Sequence, residues 1–395
     1  MKMFKKVLSL ALAGAMVLSL AACGGKDSGS SDGGDAAETF KIGSIGPATG
    51  AYAIYGLGVK NGAQIAVDEI NEAGGINGYK VEFKFEDDEV DNEKSVNAYN
   101  TLKDWGMQIL AGTVTSGCCT AVGAETANDN MFQITPSGSS TDSIDGRDNV
   151  FQVCFTDPNQ GIASAQYIGE HGLASKVAAI YDSSDVYSSG IYAKFKEEAK
   201  NQPFEIVAEG SFTGDNKTDF SVPLQQAKDA GAELVFLPIY YQEAALILAQ
   251  ADSMGYDPTF FGCDGMDGIL GVENFDTSLA EGLMLLTPFA ADAEDEMTQK
   301  FVETYKKNNN DETPNQFAAD AYDAIYAIKA AIEEADVKPS DSVSDICDAM
   351  KAAMVKINVK GLTSDEGGMT WSETGEVSKA PKAVVIQDGK YVSAQ

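Results

Sequence analysis

Apolar positions fall into two alternating rhythms from Phe40 onward. Short runs dense in β-branched and aromatic residues read as buried strands; longer stretches with apolar residues three and four apart read as helices. The first strand covers 40–45. A helix over 55–73 follows, with Val59, Ala63, Ala66, Val67 and Ile70 on one face, and Gly74-Gly75 stops it. A strand over 79–85, a helix over 92–105 and a buried-type strand over 107–114 come next. The alternation predicts further helices at 117–129, 158–171, 189–201, 219–230 and 242–254. Between them lie strands at 131–135, 176–181, 204–209, 233–239 and 259–262. From Glu294 the pattern turns mainly helical (294–309, 315–335, 343–356), and a glycine-rich hairpin containing Trp371 and a strand at 383–386 close the chain.

Strand–helix–strand repetition of this kind predicts an α/β protein with parallel sheets covered by helices on both faces. Two such blocks follow one another, each an open, doubly wound sheet. In open sheets of this kind ligands sit beyond the carboxyl ends of the strands, where strand order reverses, so two sheets facing each other would enclose a cleft.

The first 22 residues stand outside this pattern. Lys2, Lys5 and Lys6 precede an apolar run over 7–22, too short to span a bilayer and of the right length for a signal peptide. The run ends in Leu20-Ala21-Ala22-Cys23, which looks like a bacterial lipobox, so cleavage would leave Cys23 as a lipidated N-terminus. Residues 24–38, rich in Gly, Ser and Asp, read as a flexible tether. Removing residues 1–22 takes three lysines and no acid, moving the net charge from −32 to −35. The expectation is an acidic globule held at the outer face of the cell membrane.

Composition narrows the chemistry. With 395 residues, 44% of them hydrophobic and 22% charged, the chain buries a core and is not globally disordered. Twenty-eight basic residues against 60 acidic ones repel phosphate backbones, which excludes nucleic-acid binding and a polybasic membrane patch. His171 is the one histidine, so there is no His–His metal pair, and no metal or cofactor is expected. G-x-S-x-G, H-E-x-x-H, P-loop and C-x-x-C motifs are absent. Gly56-Leu57-Gly58 opens a helix, but Asn61 stands where a dinucleotide fingerprint needs its third glycine. The run Glu86-Asp87-Asp88-Glu89 lacks the spacing of a calcium loop and reads as a solvated strand end. A nucleophilic role for Cys118 or Cys119 would need a base, and His171 lies far away in the second block. Beyond Cys23 five cysteines remain; an odd number cannot all pair, and mostly free thiols are expected.

The informative residues lie at strand ends. Thr115-Ser116-Gly117-Cys118 opens a helix, where hydroxyls and free N–H groups can hold a carboxylate. Pro136-Ser137-Gly138-Ser139-Ser140 offers more hydroxyls. Tyr240, Tyr241 and Glu243 follow one strand of the second block, and Cys263-Asp264-Gly265 puts an acid at the tip of another, suited to an ammonium. A carboxylate cradle on one wall and an acid on the other describe an amino acid.

At this point the chain resembles the branched-chain amino acid (Leu/Ile/Val) receptors of ABC importers, class I periplasmic-type binding proteins. The resemblance rests on Ile42-Gly43, Thr49-Gly50-Ala51-Tyr52-Ala53-Ile54-Tyr55-Gly56, Asn61-Gly62-Ala63 and Gly74-Gly75-Ile76-Asn77-Gly78. It continues in Asp87-Asp88, Ile134-Thr135-Pro136-Ser137, Asp219-Phe220-Ser221 and Glu281-Gly282, in order over roughly 40–390. It implies two lobes joined by a hinge: 39–157 plus 288–378, and 158–287 plus 379–395. It also implies that Ser116, Ser137 and Ser139 bind the ligand carboxylate and Asp264 its ammonium. Tyr187 and Tyr240 would close over the ligand, with Tyr55 and Phe317 against its side chain. A glutamate is common where Asp264 stands, and the 87–92 loop lacks a cysteine that some members pair, so Cys118 and Cys119 are not expected in that bridge. The resemblance further implies a non-enzymatic, monomeric receptor that hands its ligand to an ABC permease. The same fold could instead bind an amide, urea or an aromatic amino acid, or serve sensing.

Overall fold

The computed structural model describes residues 38–394. The leader, Cys23 and nearly all of the tether lie outside the described residues. The first half of the chain runs β1 (Thr39–Gly46), α1 (Ala53–Glu72), β2 (Lys80–Asp87), α2 (Asn92–Trp105), β3 (Ile109–Ala111), α3 (Ser116–Asp129), β4 (Phe132–Thr135), β5 (Val150–Gln152) and α4 (Asp157–Glu170). It continues through β6 (Lys176–Asp182), α5 (Val186–Glu198), β7 (Glu205–Phe212), α6 (Ser221–Asp229), β8 (Leu234–Leu237), α7 (Tyr241–Ser253), β9 (Thr259–Gly262) and β10 (Met284–Thr287). The last elements are α8 (Glu296–Asn308), α9 (Gln316–Ala335), α10 (Val343–Met354), β11 (Lys382–Gln387) and β12 (Lys390–Ser393).

The strands build two sheets, in orders β2-β1-β3-β4-β5 and β12-β11-β10-β9-β8-β6-β7. All pairings in the first sheet are parallel, as are those from β7 through β10 in the second. Order reverses between β1 and β3 in one sheet and between β6 and β8 in the other. The segments leaving those strands carry the residues discussed below, as the rule for open α/β sheets requires.

Local chemistry explains the boundaries. α1 ends where Gly74 and Gly75 take φ of +112° and +86°, and the Gly75 N–H bonds back to the Ile70 carbonyl. Asp91 caps α2 by accepting from the Lys94 N–H, and Gly106 at φ +92° closes it. Helix α1 lies so near α9 that a Cβ on Gly62 would stand 1.9 Å from the Ala318 carbonyl oxygen. That close approach docks α9, and with it Phe317, beside Tyr55.

Three elements were not legible in the sequence. β5 hides in an apolar run, β10 follows a stretch without clear rhythm, and β12 is a half-exposed edge strand. The apolar stretch 107–114 pairs only over Ile109–Ala111; the rest is buried connector. The final strands β11 and β12 are antiparallel additions to an otherwise parallel sheet. The Trp371 hairpin forms bridges at Val359–Met369 and Trp371–Val377, and covers the outer edge of β5. There the Gln152 N–H donates to the Gly375 carbonyl and the Trp371 indole N–H to the Gln152 carbonyl.

Beyond the hairpin the chain inserts a lysine into the protein. The Lys379 side chain is fully buried, and its Nζ donates to Asp320 Oδ1 on α9 at 2.8 Å and to Thr363 Oγ1 at 2.5 Å. Asp323, one turn further along α9, accepts from the N–H groups of Leu362 and Thr363 and from the Thr363 hydroxyl. One ammonium and two carboxylates thus join α9 to the segment that returns to the second sheet.

The acidic run corrects one reading. Asp87 does sit at a strand end, where it accepts from Ala48 N and Thr49 Oγ1, but Asp88 is fully buried and accepts from Val90 N. A carboxyl can turn inward here because α2 and α3 cover it.

Candidate functional site

Residues from both sheets meet around one small cavity, lined by Tyr55, Val114, Thr115, Ser116, Ser137, Tyr187, Tyr240, Asp264, Gly265 and Phe317. Its free space is about 10 Å³, room for the centre of roughly one water molecule. The walls are therefore closed on one another.

One wall comes from the first sheet. Thr115 leaves the β3 connector in an extended conformation and caps α3, so the first N–H groups of α3 carry no intrahelical bond. Ser116 Oγ accepts from Ser140 N at 3.1 Å, Ser137 Oγ donates to the Val114 carbonyl at 2.7 Å, and Thr115 Oγ1 is buried without a partner. Hydroxyls, free N–H groups and the positive end of a helix make an anion cradle.

The opposite wall comes from the second sheet. Asp264 begins the segment after β9 and is 4% exposed. Its Oδ1 accepts from the Tyr187 hydroxyl at 2.7 Å, and that hydroxyl accepts from Gly265 N at 2.9 Å. Gln160 and Gln316 fix the Asp264 backbone: Gln160 Oε1 accepts from its N–H and Gln316 Nε2 donates to its carbonyl. Burial pushes the Asp264 carboxyl up to about 7, more than the Tyr187 and Gln160 hydrogen bonds pull it down. Among the described residues, no lysine or arginine is paired with it.

Aromatic rings close the remaining sides. Tyr187 and Tyr240 stack with centroids 5.0 Å apart, while Tyr55 meets Phe317 at 4.3 Å and Tyr240 at 5.8 Å. The Tyr55 hydroxyl donates to the Gly265 carbonyl, tying α1 to the second sheet.

Seven of the eight sequence-derived ligand residues line this cavity: Ser116, Ser137, Tyr187, Tyr240, Asp264, Tyr55 and Phe317. Ser139 does not. Its carbonyl takes the Asp157 N–H at the start of α4, and the residue is fully buried with Oγ unpartnered. Val114 takes a wall position that the sequence reading passed over, while Thr115 and Gly265, quoted there within strand-end motifs but given no ligand role, join the wall beside Ser116 and Asp264. Asp157, 1% exposed with neither carboxylate oxygen bonded, also escaped notice; the only signal was an acid at the N-terminus of a helix.

All five described cysteines are free and buried, in keeping with the thiols expected. Burial pushes the Cys118 thiol up to about 12 and raises Cys119 as well, so neither is a thiolate near neutral pH. His171 is exposed at the end of α4, its Nδ1 3.0 Å from the Tyr167 carbonyl.

Buried acids give the protein a characteristic pH response. Desolvation raises Asp264 to about 7 and Asp88, Asp267 and Asp320 to about 6, and lifts Asp157 and Asp323 too. In the unfolded chain these groups titrate near 4, so between about pH 4 and 7 the folded state binds more protons. Their stabilisation is present at low pH and lost as pH rises through the folded values. The ligand-free protein is therefore expected to melt at a higher temperature at pH 5 than at pH 8. Melts that run the other way would show these carboxyls to be solvated.

Comparisons with known proteins agree with this fold. A family model described as "Periplasmic binding protein" matches residues 39–387. The chain is similar to the Leu/Ile/Val-binding protein homolog 3 of Brucella melitensis, 31% identical, covering 90% of this chain and 93% of that protein. It is similar to the leucine-, isoleucine-, valine-, threonine- and alanine-binding protein of Pseudomonas aeruginosa, 28% identical over 84% of this chain and 87% of that one. Among solved structures, the branched-chain amino acid transporter substrate-binding protein LivJ of Streptococcus pneumoniae, in complex with isoleucine, superposes with a TM-score of 0.81. It is 29% identical and covers 90% of this chain and 99% of that one.

Proposed function

The chain belongs to the periplasmic binding protein family, with its class I fold, and on that premise we propose that it is an extracytoplasmic receptor that captures an amino acid, branched-chain above all, between its two sheets and delivers it to an ABC importer. Relatives named for Leu, Ile and Val binding support this reading.

The observation that carries it is Asp264. A carboxylate buried without a cation is unfavourable unless a ligand supplies one. The anion cradle of Thr115, Ser116 and Ser137 faces it across the cavity. A zwitterionic amino acid satisfies both walls at once, and its apolar side chain then lies against Tyr55, Tyr240 and Phe317. Amides and urea lack the ammonium and leave Asp264 unanswered.

We assign one lobe to 39–157 plus 288–378 and the other to 158–287 plus 379–395, with the hinge at the crossings between them. Because the closed cavity admits about one water, an amino acid enters only when the lobes part, and closure then shields both charges. Lobe closure is also the signal a permease can read. Cys23 supplies a lipid anchor in this reading, the receptor acts as a monomer, and no reaction is catalysed.

A thermal-shift panel tests the proposal on the chain from Glu38 onward, refolded to strip carried-over ligand. Leucine, isoleucine or valine at 100 times its dissociation constant should add about 2.7 kcal/mol to stability. Stabilisation by amides or urea alone would overturn the ammonium assignment.

A further inference from the structure

Outside the ligand cavity, the turn that leads into α1 grips the half of the protein built on the second sheet. The Ala51 carbonyl accepts from the Tyr241 hydroxyl at 2.9 Å and from Gln242 Nε2 at 2.8 Å. The next residue, Tyr52, donates its hydroxyl to Glu243 Oε1 at 2.5 Å and accepts from Lys217 Nζ at 2.7 Å. Lys217 Nζ also lies 3.3 Å from Glu243 Oε1 and 5.0 Å from the centre of the Tyr52 ring. Under the lobe assignment, Ala51 and Tyr52 stand on one lobe and all four of their partners on the other, so these bonds exist only while the lobes touch.

The direction of the central bond is fixed. Tyr52 is 9% exposed and Glu243 5%. Burial, and after it the Glu243 carboxylate, raise the Tyr52 hydroxyl far above the usual tyrosine range, so it keeps its proton and donates. A hydrogen bond to a buried carboxylate is among the stronger kinds. Neither Tyr52 nor any of these partners lines the ligand cavity. Tyr52 reaches it through two rings that do: it stacks on Tyr55 with centroids 6.3 Å apart and planes 9° apart, and meets Tyr240 edge-on at 5.4 Å.

A second segment of the same lobe meets the other lobe here. Val90, in the turn between β2 and α2, lines a cavity beside the first together with Tyr52, Lys217, Glu243, Phe212 and Ile239. Its φ of +60° is costly for a β-branched residue. The buried Asp88 carboxylate holds it there by accepting the Val90 N–H at 3.0 Å. Strain of this kind persists only where the surroundings over-determine the backbone, and it gathers at clamps and switch regions.

We propose that Tyr52, clasped by Glu243 and Lys217, is a positioning residue for ligand capture: it sets how long the lobes stay closed, and so the affinity, without touching the ligand. Given the amino acid receptor reading on which this rests, the clasp adds its free energy to the closed form alone. A ligand held between closed lobes leaves only when they part, whereas capture begins from parted lobes. Loss of the clasp therefore quickens release and spares association.

Stopped-flow measurement of leucine binding to the whole chain, followed by intrinsic fluorescence, tests this. Tyr52→Phe keeps the ring and removes both hydroxyl hydrogen bonds; leucine should leave about tenfold faster and arrive at the wild-type rate. Glu243→Gln retains an acceptor for the Tyr52 hydroxyl and should release leucine within about threefold of the wild-type rate. Lys217→Met, 38% exposed at the rim, should speed release about threefold, and it decides the matter even if Tyr52→Phe fails to fold. Wild type that binds leucine, with Tyr52→Phe and Lys217→Met releasing it at the wild-type rate, overturns the clasp alone. A Tyr52→Phe protein whose association slows as much as its release quickens would mark Tyr52 as part of the fold rather than of closure, and overturns it too. Wild type that takes up none of leucine, isoleucine and valine removes the receptor reading itself, and the clasp with it.

Discussion

Asp264→Ala is expected to weaken amino acid binding by about 2–5 kcal/mol, the range for removing one partner of a buried charge pair. Calorimetry with leucine, isoleucine and valine measures it, and unchanged affinity would refute the ammonium assignment. A second readout distinguishes binding from folding. In the ligand-free protein the carboxyl has the Tyr187 hydroxyl and no cation, so its charge is a burden there. Asp264→Asn keeps a hydrogen-bonding side chain of the same shape and removes that burden. Its ligand-free melting temperature should therefore hold or rise while affinity falls. Binding by the wild type should also weaken as pH drops below about 7, because protonating Asp264 removes the ammonium's partner. A variant that loses stability and affinity together would mark Asp264 as a structural residue.

Lys379→Met is expected to lower stability by about 3–5 kcal/mol, since it strands Asp320 as a buried charge. Burial already holds Asp320 up at about 6 against the field of Lys379, so the pair stands near the limit of what the interior tolerates. Denaturant melts would report the loss as a lower midpoint at unchanged slope. Replacing both partners, Lys379→Met with Asp320→Leu, should restore most of it, because a matched apolar pair leaves no orphaned charge. A single variant as stable as the wild type would mean that water reaches Asp320.

The fold was legible largely because parallel strands buried on both faces are continuous apolar runs, and because helices such as α1 and α2 carry their stop signals in glycines. The limits were β5, β10 and β12, where local composition does not set a strand apart from its surroundings and pairing is set by partners distant in sequence. Asp264 and the Thr115–Ser116 turn could be found as polar residues at strand tips. Tyr55 and Phe317 could not; only a family resemblance singled them out, and the α1–α9 contact at Gly62 is what brings their rings together. Ser139 shows the opposite limit. The resemblance gave it the same role as Ser137, yet only Ser137 lines the cavity, while the Ser139 carbonyl takes the Asp157 N–H, a placement that residue types within a five-residue loop do not reveal. Asp88 looked like a surface acid, and Asp157 escaped notice, because nothing in a sequence shows which carboxyl tertiary packing will cover.

The second sheet also imposes an order of assembly. β10 has β9 on one flank and β11 on the other, and β11 comes from the far end of the chain, at Lys382–Gln387. A chain that emerges N-terminus first presents Met284–Thr287 with one backbone edge unpaired until its last strands arrive. Through that interval α8, α9 and α10 are already available, while β10 offers an apolar template to any other extended strand. Chains cut short before residue 382 keep that edge unpaired, the condition under which strand edges favour pairing between chains over folding.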